Sequence, residues 1–412
     1  MNDLEHSLAD FYFPDGTDPL EPPADFSEWM ERGAWAASLY EPRLLSPVGP
    51  EGVVRRGCAE TEVVNLSSYN YLGLATHPEV VEASTRALRD RGTGACGSPL
   101  LSGMADLHEE LQTRLAAFTG REDVMLFNSG FSGGMGTLAG MLRRGDVAIL
   151  DAKCHLCLID GVKLSRARLV FFDHNDPESL EQALAEHEGK RRLVVVEGVY
   201  SMDGDTANLP ALLPVAERHR VGVFIDEAHS ILVYGDHGRG VVEHYGMEDR
   251  IPLQFGTFSK AFASIGGFTA GPKSLLRYLR YYSNAYGFSC ALPPAVVAGL
   301  IKALEIATRD GSLRDKLWQN TRYFRERARG LGLNLGESTS HVIPIVIGSD
   351  RQLLYEMCLE MNHKGLFVAP VDYPSVPEDA LRYRVAITAA HSFDQLDRAL
   401  EILEDTVVKR TC

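Results

Sequence analysis

Short, continuous apolar runs alternate along the chain with longer stretches of helical spacing. Val124–Phe127, Val147–Leu150, Leu169–Phe172, Leu193–Val196 and Val221–Ile225 are rich in β-branched and large apolar residues. Runs of that length and texture predict strands buried on both faces. Ser179–Ala185 and Leu212–His219 lie between them and read as helices. Strand alternating with helix predicts an α/β fold with a mostly parallel central sheet. Upstream, Thr76-His-Pro-Glu79 has a capping-box pattern; Val80, Val81, Ala83, Ala87 and Leu88 follow at helical period until Gly92. Leu107, Leu111, Leu115 and Phe118 mark a second amphipathic helix ending at Gly120. After Leu292-Pro293-Pro294 come helices over Ala295–Thr308, Leu313–Leu331, Gln352–Lys364 and Phe393–Glu404, the last capped by Ser392 and Gln395. Strands at Val342–Ile347 and Tyr383–Ile387 complete a smaller C-terminal α+β domain.

The expected boundaries are an N-terminal arm at 1–60, a large α/β domain at 61–295 and a small domain at 296–412. In the arm, Trp29, Trp35 and Tyr40 sit at roughly helical spacing, for packing on the same domain or on a second subunit. The 412 residues are 45% hydrophobic and 24% charged, as in an ordinary globular protein. A net charge of -15 disfavours nucleic acid and anionic membrane as partners. The acidic N-terminus lacks the features of a signal peptide, and no apolar run approaches membrane-spanning length. Seven scattered cysteines (Cys58, Cys96, Cys154, Cys157, Cys290, Cys358, Cys412) fit a reducing, cytoplasmic location. Cys154 and Cys157 form a C-x-x-C without a second pair, which argues against a zinc or redox centre, and no metal is expected.

The candidate chemistry stands at the ends of the predicted strands, where ligands bind in such sheets. Lys260 lies in F-G-T-F-S-K-A-F-A-S-I-G-G-F-T-A-G, either as a surface lysine or as an amine kept reactive for a Schiff base. Gly266 and Gly267 leave room for close backbone packing. Asp226 ends V-G-V-F-I-D and is either a helix cap or a carboxylate that holds a proton on a cofactor nitrogen; His229 follows three residues later. Asn128-Ser129-Gly130-Phe131-Ser132-Gly133-Gly134 follows a strand and opens a helix, a phosphate-binding arrangement, with Thr257 and Ser259 able to add hydroxyls. It matches neither the dinucleotide nor the Walker glycine pattern. His155 can lie over a planar ligand or be a structural residue. Ser201 can donate into the pocket, while Asp203-Gly204-Asp205 turns the chain. A lysine, a carboxylate, histidines and a phosphate cradle form the set that pyridoxal phosphate requires.

With the motifs N-Y-L-G (Asn70–Gly73), H-x-x-x-x-D-G (His155–Gly161), E-G-V-Y-S-M-D-G-D (Glu197–Asp205), D-E-A-H-S (Asp226–Ser230), G-T-F-S-K (Gly256–Lys260) and T-A-A-H (Thr388–His391), the chain resembles the α-oxoamine synthases among the fold-type-I pyridoxal-phosphate enzymes. The resemblance spans roughly residues 60 to 408. It implies an aminotransferase-like fold with a seven-stranded type of central sheet and helices on both faces. By the resemblance, Lys260 anchors the cofactor and serves as the base, Asp226 pairs with the pyridine nitrogen, and His229 and Ser201 contact the ring hydroxyl. His155 stacks on the ring, while Ser129, Gly130, Phe131, Thr257 and Ser259 surround the phosphate. Tyr69, Ser98 and Arg384 contact substrate, Arg384 through the amino-acid carboxylate. The implied reaction is a decarboxylative Claisen condensation of serine, alanine or glycine with an acyl thioester of CoA or acyl-carrier protein, in a homodimer that shares its active sites.

The motifs are most similar to the serine palmitoyltransferase branch. Pro99 and Cys290 depart from the family pattern. Asp372, in a loop that carries arginine in the oxononanoate branch, argues by its charge against an acidic acyl chain. A non-decarboxylating ligase, another fold-type-I enzyme and a non-catalytic partner subunit are the alternatives.

Overall fold

The structure, a computed structural model, describes residues 8–12, 18–32 and 40–411. Trp35, residues 1–7 and Cys412 lie outside the described residues. The first strands along the chain are β1 (Arg43–Leu44), β2 (Glu51–Arg56), β3 (Ala59–Asn65), β4 (Asp123–Phe127), β5 (Val147–Asp151) and β6 (Arg168–Phe172). There follow β7 (Arg192–Glu197), β8 (Gly222–Asp226), β9 (Leu253–Thr257), β10 (Gly267–Gly271), β11 (Val342–Gly348), β12 (Leu366–Phe367), β13 (Ala369–Val371) and β14 (Leu381–Ala386). The chain forms two compact units, one of Tyr69–Ser201 with Asp205–Asp315, the other of the described residues up to Ser68, Met202–Gly204 and those from Lys316 onward.

The larger unit holds a seven-stranded sheet in the order β4-β10-β9-β8-β7-β5-β6. β10 runs antiparallel to both neighbours, and the other pairs are parallel. The continuous apolar runs became β4 to β8; β4, β5, β7 and β8 are covered on both faces, whereas β6, at the sheet edge, leaves Phe171 exposed, contrary to the expectation for that run. Phe127, Leu150, Val195, Phe224 and Phe255 are buried in one cluster with Leu138, Leu158 and Leu279 from covering helices. Each such side chain stabilises the fold by about 1.5–3 kcal/mol. The parallel register places Glu197 of β7 opposite Asp226 of β8, and Asp226 opposite Phe255 of β9. Strand-end residues therefore gather on one edge of the sheet.

β9 and β10 were not expected as strands. Their sequences, L-Q-F-G-T and G-F-T-A-G, are broken by glycine, yet every residue of both is buried. Thr76 does not cap its helix: Pro78–Arg91 starts after His77, with proline in the first turn and no side-chain cap. That helix buries Ala83 and Ala87, whereas Val81 and Leu88 are exposed. Helix Asp106–Thr119 ends on left-handed Gly120, as the pattern predicts. Helix Pro294–Arg309 belongs to the larger unit and not to the C-terminal one, because it packs along Pro78–Arg91, with Gly299 against Val80 and Ser84.

The smaller unit has one sheet ordered β1-β2-β3-β12 and another ordered β11-β14-β13. The expected boundary at residue 60 falls inside β3, whose parallel partner is β12. His391 of T-A-A-H is buried here, its Nε2 3.1 Å from the Asn65 carbonyl and its Nδ1 accepting the Thr388 N–H. Burial lowers its pKa to about 4, so it is a neutral structural pin. The Ser392–Gln395 capping box is formed as predicted. In the arm, Trp29 is buried against Phe11 and Phe26, at ring distances of 5.1 and 5.8 Å. Among the described residues no helix is long and apolar enough to cross a membrane.

Candidate active site

A cavity of about 150 Å³ opens at the carboxyl ends of β7, β8 and β9 in the larger unit. Lys260 enters it from the loop between β9 and β10. That loop is rigid for identifiable reasons: the Phe258 N–H donates to Gly266, Ser264 to Phe258 and Ala263 to Lys260. Phe258 packs on Phe262 and Phe268, with ring centroids 5.1 and 5.4 Å away. Gly266 has φ 110°, and a Cβ there would press on the Phe127 carbonyl, so the turn requires glycine.

Two buried carboxylates, Asp226 and Glu197, share this cavity with the partly exposed Lys260. Burial pushes the Lys260 amine below the ordinary lysine range, while Asp226 and Glu197 pull it back up. Burial raises Asp226 to about 6, against the pull of Lys260 and of the Ala228 N–H, which donates to Oδ1 at 2.8 Å. Glu197 is raised well above the carboxylate range, first by burial and then by Asp226. One amine thus faces two buried carboxylates.

His155 caps helix Leu156–Ser165, its Nδ1 accepting the Cys157 N–H at 3.2 Å. Its own backbone N–H donates to the Glu197 carboxylate. Burial, then Lys260, lowers its pKa. The neutral ring with an accepting Nδ1 carries its proton on Nε2. Phe131 meets it edge-on at 6.2 Å. His229 is held through Nδ1 by the Tyr71 hydroxyl at 2.7 Å, with the Tyr69 ring perpendicular to it at 6.1 Å. Ser201 completes that wall.

At the other end lies the first turn of helix Gly130–Met141. Ser129 caps it, accepting the Ser132 N–H at 3.0 Å. A Cβ at Gly130 would collide with Thr257 Oγ1, so glycine lets the helix end meet the β9 terminus. Thr257 Oγ1 and Ser259 Oγ lie 2.8 Å apart. A helix N-terminus beside two hydroxyls suits a phosphate. Amine, buried carboxylate, neutral imidazole and phosphate cradle in one cavity fit pyridoxal phosphate.

The fold brings together Gly130, Phe131, His155, Ser201, Asp226, His229, Thr257, Ser259 and Lys260 as cavity lining. Ser129 acts behind the wall as the cap. Tyr69 reaches the site through His229, and Ser98 does not line the cavity; the buried Ser98 hydroxyl has no hydrogen-bond partner among the described residues. Pro99 and Cys290, the two departures from the family motifs, line a second cavity of about 10 Å³ together. Arg384 lies on β14 of the smaller unit, Nη1 3.6 Å from the Met202 sulfur, its pKa lowered to about 10 by burial. Glu197, Cys157 and Tyr71 were not anticipated. Glu197 was within reach, since it ends a strand as Asp226 does; Tyr71 had no sequence signal beyond its motif.

Asp372 corrects one inference. It is buried in the smaller unit, with Oδ2 accepting from Arg351 Nε at 2.7 Å and from Tyr355 at 2.5 Å. A charge so paired is no argument against an acidic acyl chain.

The aminotransferase class I and II family model matches residues 61–403. The 8-amino-7-oxononanoate synthase of Thermoanaerobacter pseudethanolicus is 40% identical over 363 residues, covering 88% of this chain and 91% of its own. The serine palmitoyltransferase of Sphingobacterium spiritivorum is 36% identical over 340 residues, covering 82% and 85%. A variant serine palmitoyltransferase from S. paucimobilis, solved with PLP–myriocin bound, matches with a TM-score of 0.87 at 30% identity, covering 93% of this chain and 96% of that one.

Proposed function

The chain belongs to the aminotransferase class I and II family, among the α-oxoamine synthases, and from that premise we propose that it joins a small amino acid to an acyl thioester, releases carbon dioxide and yields an α-amino ketone. It is an acyltransferase that uses pyridoxal phosphate. The observation that carries the finer reading is the Lys260 amine facing the buried Asp226 in one cavity. When bound, pyridoxal phosphate supplies an electron sink that makes the amino-acid α-carbon acidic. Lys260 would hold its aldehyde carbon, Asp226 its ring nitrogen, and the first turn of Gly130–Met141 with Thr257 and Ser259 its phosphate.

The chain's own groups then have separate tasks. Lys260 Nζ, with its basicity lowered by burial, takes the α-proton without being permanently protonated. With the cofactor bound, His155 would offer its Nε2–H to the ring side of the cavity and would orient the substrate carboxylate for its loss as carbon dioxide. His229, fixed by Tyr71, and Ser201 would hold the ring hydroxyl. By the resemblance, Arg384 takes the substrate carboxylate, a role that a bidentate guanidinium suits. Serine, alanine or glycine is the amino acid, and CoA or a carrier protein bears the acyl group. With Asp372 paired, an acidic acyl chain stays among the candidates.

We read the working form as a homodimer in the cytoplasm. Leu101 and Phe288 are 87% and 88% exposed and Phe131 at the cavity is 45% exposed, apolar side chains that a second copy of the chain would cover. The six described cysteines are all free thiols, which suits a reducing compartment.

The test is to titrate serine, alanine and glycine into the cofactor-loaded protein, watch the visible spectrum, then add acyl thioesters and measure carbon dioxide and ketone. One amino acid should shift the spectrum and release carbon dioxide stoichiometrically with thiol. Thiol release without carbon dioxide favours the non-decarboxylating ligase. No spectral response to any amino acid contradicts the condensation.

A further inference from the structure

Behind the cavity, and outside its lining, His174 stands between two carboxylates. Its Nδ1 lies 2.8 Å from Asp151 Oδ1, and its Nε2 lies 2.8 Å from Asp205 Oδ2. A neutral imidazole donates from one nitrogen only, so one carboxylate would face a lone pair. Only the imidazolium satisfies both. Tyr200 packs its ring edge against the imidazole at 4.5 Å, and the Asn175 amide nitrogen lies 3.4 Å from Nε2 while donating to Asp205 at 3.0 Å. Asp151 and Asp205 are the charged groups facing the ring, and Tyr200 is the titratable one.

Each carboxylate belongs to a turn that delivers a cavity residue. Asp151 ends β5; its Oδ1 accepts the Lys153 N–H at 2.9 Å and its carbonyl accepts the Cys154 N–H, building the turn into His155. Its Oδ2 accepts the Asn175 N–H at 2.9 Å. Asp205 closes the loop after β7, where its carbonyl accepts the Tyr200 N–H at 3.0 Å beside Ser201. Neither carboxylate lines the cavity, yet both turns lead into its wall at His155 and Ser201.

We propose that His174 is a positioning residue of the pocket: a doubly bound imidazolium that clamps the His155 turn to the Ser201 loop, so that both side chains keep their places around the cofactor. The inference rests on the reading of the cavity given above. The charge state agrees with it. Burial would lower the His174 pKa, but the bonds to Asp151 and Asp205 raise it to about 9. Because the folded value lies above the unfolded one, the clamp is fully present below the ordinary histidine range and is lost as pH rises through about 9.

Histidine-selective NMR of the full chain, with and without pyridoxal phosphate, reads the ring directly. At pH 8 one histidine signal, absent from His174→Gln, should carry protons on both nitrogens; titration at or below the ordinary histidine range overturns the clamp. In His174→Gln the amides of Lys153 and Tyr200 should exchange roughly tenfold faster while β8 keeps its protection, and pyridoxal phosphate should be lost roughly tenfold faster. In the wild type the same amides should lose protection as pH passes about 9, a step that His174→Gln lacks. Unchanged exchange and unchanged cofactor retention in the variant overturn the proposal. If that variant does not fold, the wild-type titration and Asp205→Asn, which removes one charge and should speed cofactor loss to a smaller extent, remain decisive. Lys260→Ala separates the two readings: if it abolishes cofactor attachment while His174→Gln changes nothing, the cavity reading stands and the clamp falls.

Discussion

Each unit buries a carboxylate, and the two are treated oppositely. In the smaller unit Asp372 is fully answered, by Arg351 at 2.7 Å and by Tyr355 at 2.5 Å, with Tyr40 2.8 Å behind Tyr355. In the larger unit Asp226 shares one lysine with Glu197, and burial raises Asp226 to about 6 and Glu197 higher still. A buried charge with complete partners stabilises structure. A buried charge whose balance awaits another group is costly in the empty protein and marks a binding site. The same residue type therefore means structure in one place and chemistry in the other, and the partners decide.

The contrast can be broken by substitution. Lys260→Ala should lower kcat by at least about 10⁴-fold and remove the visible absorption of lysine-bound cofactor, since both tasks reside on one atom. Asp226→Asn should cost about 10²–10³-fold in kcat, because the ring nitrogen loses its counter-charge. The pH dependence follows from the raised Asp226 pKa. Below about 6 the carboxyl is neutral in the cofactor-free chain, so cofactor affinity should fall as pH falls through that value, and Asp226→Asn should flatten the profile. A profile that is the same in both proteins removes Asp226 from the role. Glu197→Gln keeps the acceptor for the His155 N–H but deletes charge; a decrease of about tenfold in kcat with little change in KM is expected. Asp372→Asn should leave kcat within about twofold and instead lower the unfolding free energy by about 2 kcal/mol, from charged hydrogen bonds lost to Arg351 and Tyr355. A large catalytic loss there would erase the distinction between the two carboxylates.

Much of this was legible in residue order. β5, β7 and β8 are continuous apolar runs because both of their faces are covered, Asp226 stood out as a polar group at a strand end, and Lys260 stood out as one lysine among small, hydroxyl and aromatic residues. β9 and β10 were hidden, since Gly256, Gly267 and Gly271 interrupt the apolar pattern where the packed backbone leaves no room for side chains. The β2–β3 hairpin was hidden by its charged, exposed positions and by a partner, β12, some three hundred residues away in sequence. In the site, chemistry was legible and support was not. Glu197 gains its meaning from lying opposite Asp226 in register, Tyr71 from a bond to His229, and Asp372 loses its assigned meaning through Arg351. Pairings of this kind are three-dimensional facts that no local motif encodes.

The central claim is that the amine facing Asp226 is the cofactor anchor. Borohydride reduction of the pyridoxal-phosphate-loaded chain, followed by proteolysis and peptide mass analysis, tests it most directly. The account predicts a single phosphopyridoxyl label, on the peptide carrying Lys260 and at Lys260 itself, absent from Lys260→Ala. A label on another lysine of the wild type, or none on a protein that has taken up the cofactor, contradicts it.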